Sequence, residues 1–212
     1  NCQTEEERLR TAELIRPILR GRDIKRYGYN WADLWLIATF PSRHYDIEEY
    51  PAVKAHLLSF GKERLEQTGK KYIINGKEIK ARKKTNNKWF ETQDSISYWE
   101  DFLQPRIIYR EIGTEMDACM VEKGWMINNK LYMISGKYLT HLLNYFNSKL
   151  FNRIILSSTN LTGGKGVDFM EKIIAPLPEQ CNLSLADDNS TPKLLYKLYN
   201  LTSNEIDFIE NQ

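Results

Sequence analysis

The sequence is poor in the residues that mark several common classes. It has three cysteines in 212 residues, Cys2, Cys119 and Cys181, which are far apart, odd in number and form no CxxC pair. A disulfide framework or a structural zinc site is therefore not expected, and a reducing cytoplasmic setting fits best. No apolar run approaches the roughly 18 residues of a membrane span. There is no signal-peptide core, and the start at Asn1 has no Met, so the chain reads as a piece of something longer. Net charge of one sign is also lacking. Thirty Lys and Arg stand against 28 Asp and Glu, a balance of +2 that excludes a uniformly cationic, histone-like protein. Hydrophobic residues at 42% and charged residues at 27% are ordinary globular usage, so wholesale disorder is excluded too.

Catalytic signatures are equally scarce. There is no GxGxxG after a strand, no GxxxxGK[ST], no Gly-x-Ser-x-Gly and no Pro-Pro-Tyr or Pro-Pro-Phe tetrapeptide. Gly163-Gly164-Lys165-Gly166 imitates a phosphate loop, but its spacing is wrong and no hydroxyl follows the lysine. It reads as a flexible loop, with backbone contact of Lys165 to nucleic acid as the functional alternative. His44, His56 and His141 form no i,i+3 or i,i+4 metal pair. The acid-x-Lys triplets Glu78-Ile79-Lys80 and Asp23-Ile24-Lys25 lack the clustered carboxylates of a nuclease. No cofactor or metal is expected on this chain.

What is present is a local basic excess. Lys62 to Lys88 holds ten Lys and Arg against three Glu. Within it, Tyr72-Ile73-Ile74 and Glu78-Ile79-Lys80 flank Asn75-Gly76, the strongest two-residue hairpin signal. Lys80, Arg82, Lys83, Lys84 and Lys88, followed by Trp89, are candidate DNA contacts, because phosphate neutralisation dominates nucleic-acid affinity. The alternative is a solvated turn. A second cluster is Arg16, Arg20, Arg22, Lys25 and Arg26, of which Arg20 and Arg22 are candidate contacts. Arg106 and Arg110, four apart on an expected strand, face the same way and could reach base edges. Their alternative is ion pairing with Glu111 or Glu115.

Periodicity predicts a helix over residues 5–15, a buried strand over 34–39 and a helix from Pro51 burying Val53, Leu57, Phe60 and Leu65. It predicts a helix from Ser95 to Leu103 and strands at 106–110, 117–121 and 130–134. One long helix of roughly five turns is expected from Tyr138 to Ile155, with Leu142, Leu143, Phe146 and Leu150 in its apolar stripe. A small-residue loop at 157–166, an apolar segment at 173–178, a linker at 180–191, a helix from Pro192 to Tyr199 and a last helix capped by Ser203 complete the chain. Strands early and helices late argue α+β: a β-rich recognition lobe over 1–136 carrying the basic hairpin, and a helical part over 137–212.

Five segments in order carry a family resemblance. Arg16-Pro17-Ile18-Leu19-Arg20-Gly21-Arg22-Asp23-Ile24-Lys25-Arg26-Tyr27 resembles the opening of the TaqI-like C-terminal specificity domain. Gln104-Pro105-Arg106-Ile107 is similar to that family's central strand, and Asn147-Ser148-Lys149 to its characteristic helical tripeptide. Ile174-Ala175-Pro176-Leu177-Pro178 and Leu198-Tyr199-Asn200-Leu201-Thr202 resemble its closing segments, with Asn200 where Gly is usual. The resemblance implies a sequence-specific reader of double-stranded DNA without catalysis of its own. It implies as partner the catalytic domain of a restriction-modification enzyme, which uses S-adenosylmethionine to methylate adenine N6, and Mg2+ where it cleaves. Two rivals remain at this point: a self-contained nuclease or transferase, and a protein-interaction module whose hairpin docks an acidic partner.

Overall fold

The computed structural model describes residues 2–158, 167–169, 195–197 and 199–211. The fold is α+β, as expected. Contacts divide it into two compact units, Asn1–Pro17 with Trp35–Trp99, and Ile18–Leu34 with Glu100–Gln212.

In the first unit, helix α1 (Glu5–Leu14) starts where the Thr4 hydroxyl accepts from the Glu7 amide at 3.1 Å. Three glutamates occupy its positively polarised first turn. Residues 15–17 of strand β1 (Ile15–Leu19) pair antiparallel with β4 (Trp35–Ile37). Proline opens helix α2 (Pro51–Leu58), and Gly61 at φ 88 ends its run before the short helix α3 (Lys62–Leu65). Phe60 falls in that turn and is 52% exposed, contrary to expectation, because the helix stops before its position can rotate onto the buried face. Leu14, Ile47, Tyr50, Val53 and Phe90 form the core. The predicted hairpin is present as β5 (Lys71–Ile74) and β6 (Lys77–Lys80), paired in register. Its turn residues Asn75 and Gly76 have φ 49 and φ 74, the left-handed values such a turn demands. The helix expected over 95–103 is only a 3-10 turn at Trp99–Leu103.

The second unit is built on β7 (Arg106–Arg110), flanked antiparallel by β9 (Ala118–Val121) and β11 (Leu131–Ile134). Side-chain alternation splits its burial. Ile107 and Tyr109 join the helices α4 (Leu139–Phe146), α5 (Lys149–Ser158) and α6 (Ser203–Glu210), whereas Ile108 packs with Leu19, Ile24, Cys119, Val121 and Leu131 on the other face. Short pairs complete the unit: β2 (Ile24–Lys25) with β3 (Gly28–Tyr29), β8 (Ile112–Gly113) with β12 (Val167–Asp168), and Ile18–Leu19 of β1 parallel to β10 (Met126–Ile127).

The single long helix expected over 138–155 is two helices, broken at Asn147-Ser148. Asn147 is buried and leaves helical geometry to grip β9. Its Oδ1 accepts from the Ala118 amide at 3.1 Å and its Nδ2 donates to the Ala118 carbonyl at 2.9 Å. Ser148 then restarts the chain, its hydroxyl accepting from the Phe151 amide at 3.0 Å, as an N-cap does. The last helix is capped not by Ser203 but by Thr202, which forms a capping box with Glu205. Asn200 has φ 56, so the residue standing in place of Gly adopts the left-handed backbone that Asn tolerates. Residues 195–197 are helical, within the expected 192–199 helix. The loop at 159–166, the 173–178 segment and the 180–191 linker lie outside the described residues.

Leu143, Phe146 and Leu150 are buried and Leu142 packs partly against them. Leu143→Ala should cost about 2–5 kcal/mol. Asn147→Ala should cost about 1–3 kcal/mol by stranding the buried Ala118 amide. Urea denaturation of both variants checks this; parent-like stability of Asn147→Ala would show that the helix break does not depend on the amide.

Candidate nucleic-acid interface

Each unit carries a cationic surface. In the first, Lys70, Lys71, Lys77, Lys80, Lys83, Lys84 and Lys88 are all exposed. The pairing of β5 with β6 sets Lys71 directly opposite Lys80. Glu78 is the one carboxylate between Lys70 and Lys88, and it pairs with Lys71 at 2.9 Å. Like charges so placed repel, and they persist where an anion is to be met.

Arg82 and Trp89 do something different. The Arg82 guanidinium is partly buried and donates to the carbonyls of Leu65 at 2.7 Å, Glu91 at 2.9 Å and Trp89. Burial lowers its pKa from the usual arginine value. Trp89 is half-buried, edge-on to Phe90 at 5.7 Å. Both residues fix the segment that follows the hairpin. Three of the Arg82 donors are thus engaged by main-chain carbonyls, which sets it apart from the exposed lysines, whereas Trp89 remains partly exposed.

In the second unit, Arg20 is also a structural group. Its backbone amide donates to Asp23 Oδ2 at 2.9 Å, and its guanidinium adds bonds at 3.1 and 2.8 Å to the same buried carboxylate. These bonds, with the Arg20 side chain as the largest cause, hold the Asp23 pKa below the ordinary carboxylate value. The tight turn so formed projects Arg22 outward. Gly21 lets the turn approach closely, since a Cβ there would lie 3.3 Å from the Lys130 carbonyl, a tight contact. Gly21, Arg22, Arg110, Glu111, Ile112 and Lys130 line an open cavity of about 360 Å³. The fold thus brings Arg22 and Arg110 together, although they are 88 positions apart in the chain. Arg110 pairs with Asp117, neither Glu111 nor Glu115, while Lys130 takes Glu111 at 2.8 Å. Lys130 carried no motif; it is brought here beside the pairing of β11 with β7, where its carbonyl accepts from the Glu111 amide at 3.1 Å.

Arg106 cannot read bases. It is fully buried, stacked over the Phe102 ring at 4.7 Å, and it donates to the carbonyls of Gln104 at 3.1 Å and Trp125. Burial pushes its pKa down to about 10. Although Arg106 and Arg110 share a strand face, Arg106 is covered by Phe102 and the Trp125 loop, whereas Arg110 lines the open cavity. Lys165 lies outside the described residues. Among the described residues, no group of three or more His, Cys, Asp or Glu is placed to hold a metal. Among them too, no helix is long and apolar enough to cross a membrane.

The segments that build this surface match a family model, that of the TaqI-like C-terminal specificity domain, over residues 16–178. The chain belongs to this family. No curated protein matches it. Among solved structures it is similar to the Type IIL restriction-modification enzyme MmeI, solved in complex with DNA, at 12% identity and a TM-score of 0.49. That likeness covers 95% of this chain and 26% of the other, so the chain spans about a quarter of MmeI. The specificity-domain motifs now have physical content. Arg20 and Asp23 close the opening turn, Arg106 ties β7 to the preceding and following loops, and Asn147 and Ser148 break the helix.

Arg106→Ala should therefore act on stability. It strands buried carbonyls, at about 1–3 kcal/mol. The check is thermal melting beside DNA affinity measured well below the transition; lost affinity with unchanged melting would return Arg106 to the recognition surface.

Proposed function

We propose that the chain is a target-recognition domain that binds double-stranded DNA and reads a specific sequence. The observation that carries the reading is the row of exposed lysines on and after the hairpin, opposed by a single, already paired glutamate, in a member of a specificity-domain family. Lysine ammonium groups suit phosphates, as point charges that position a duplex without reading it. Arg22 is the candidate base reader. Its fork is exposed at the rim of a cavity, while Arg20, Arg82 and Arg106 are committed inside the protein. Arg110 stays a weaker candidate, since Asp117 already engages it.

The family supports a division of labour. A catalytic domain outside this chain would bind S-adenosylmethionine and methylate adenine N6, or cleave with Mg2+, while this domain grips the duplex and presents the flipped base. The helical part from residue 137 would support the recognition strands and dock on that domain. No step of the chemistry is assigned to residues of this chain.

The test is fluorescence anisotropy on cognate and scrambled duplexes across a salt series. Replacing Lys77, Lys80, Lys83 and Lys84 by Ala should weaken binding to every sequence alike. If all four meet phosphates, the slope of log affinity against log salt should shrink by roughly 3–4. Arg22→Ala should cost about 1–3 kcal/mol at the preferred site and leave the scrambled duplex less affected. An unchanged slope in the quadruple variant would move the DNA off the hairpin. A protein that binds neither duplex would leave the hairpin as a surface for an acidic protein partner.

A further inference from the structure

The second unit contains another cationic cleft that the reading above does not use. It has a volume of about 340 Å³ and is lined by Arg26, Lys149 and Arg153 against one acid, Glu115, with Asn147 and Asn152 among its other walls. The two asparagines are occupied. Asn147 grips Ala118, while Asn152 accepts from the Met116 amide at 2.7 Å and donates to the Ser148 carbonyl at 3.2 Å. They make a fixed floor. Lys149 donates to the Glu210 carbonyl and lies 4.0 Å from its carboxylate.

The two arginines are differently placed. Arg26 sits 5.5 Å from the centre of the Tyr27 ring, and Arg153 sits 5.4 Å from that of Phe208. Stacking holds the face of a guanidinium and leaves its in-plane N–H donors available. Among the described residues, no ion pair engages either arginine. Two arginines and a lysine thus line an open cleft with a hydrogen-bonded floor. That is the arrangement for an anion whose oxygens accept several charge-assisted bonds.

We infer that this cleft holds a backbone phosphate of the bound duplex, at a contact separate from the hairpin. The inference rests on the DNA-binding reading. A backbone phosphate is favoured over an isolated carboxylate because three cations, Arg26, Lys149 and Arg153, line the cleft with a single acid in a member of a specificity-domain family.

The experiment uses the 212-residue chain with Arg26→Ala and Arg153→Ala together, and Arg26→Lys with Arg153→Lys as the charge-retaining control. The Ala pair should weaken duplex binding about tenfold or more. It should lower the salt slope by about 1, and the Lys pair should restore the slope. Duplexes carrying single neutral methylphosphonate linkages, scanned along both strands, should show one position that weakens the parent but not the Ala pair. Parent protein that binds DNA while the Ala pair keeps the full salt slope overturns the inference alone. So does an Ala pair that loses only its association with the catalytic domain, which would make the cleft a protein-docking site. Failure of the parent to bind any duplex overturns the DNA reading and this inference with it.

Discussion

The second unit depends on the main chain of one residue, Ala118. Its amide donates to Asn147 Oδ1, and its carbonyl accepts both Asn147 Nδ2 and the backbone amide of Tyr27 at 2.9 Å. A strand, a helix break and a turn in the arginine-rich opening therefore share one buried set of hydrogen bonds. In low dielectric such bonds are costly to leave unmade, so the three segments have one arrangement in which all are satisfied. The consequences spread outward. Breaking the helix at Asn147 lets α5 leave at a new angle, which places Lys149 and Arg153 on the cleft. Anchoring Tyr27 sets Arg26 opposite them.

Arginine is used here as a structural cation more than as a ligand group. Arg82 and Arg106 each hold together loops that have no regular pairing, by donating to several carbonyls at once. Arg20 closes a turn on Asp23. Five donors on a rigid plane suit this, whereas a lysine offers a single point. With Arg82 turned inward, the exposed cations on and after the hairpin of the first unit are lysines. Such a surface supplies affinity that depends on salt and is indifferent to sequence. On the proposed reading, discrimination would come from few groups, Arg22 foremost.

Local signals made much of the fold legible. Asn75-Gly76 announced the hairpin, the strand β7 followed from its apolar run, and the left-handed site at Asn200 was readable from the residue type. What stayed hidden depends on partners distant in sequence. The stripe from Tyr138 to Ile155 has unbroken helical period, and nothing near Asn147 says that its amide will bond a strand 29 residues earlier. The period is kept across the break because both helices bury the same side. Thr202 outcompetes Ser203 as cap because its hydroxyl and Glu205 satisfy each other, a choice that depends on where the helix ends rather than on either residue alone. The candidate site misled in one consistent direction. Arg82 and Arg106 stand in basic or motif-bearing stretches, and only burial distinguishes a cation held by carbonyls from one offered to phosphate.

The same burial fixes how the frame responds to pH. Arg106 lies deep in the protein yet is depressed only to about 10, and Cys119 is raised to about 12 by its apolar surroundings. The arginine stays charged and the thiol stays neutral up to mildly alkaline pH. Because the Arg106 pKa is lower folded than unfolded, its charging penalises the fold below about 10 and that penalty fades as pH rises toward the unfolded value. The thiol works in the opposite sense: above its unfolded value near 9.0, ionisation increasingly favours the unfolded chain, and the loss is complete once pH passes about 12. Both effects lie in the alkaline range. Neither residue therefore titrates near neutral pH, and on the proposed reading the exposed lysines would meet phosphate with both groups in one charge state. Ionic strength, through the counterions displaced from phosphate, is the variable to which such a surface responds.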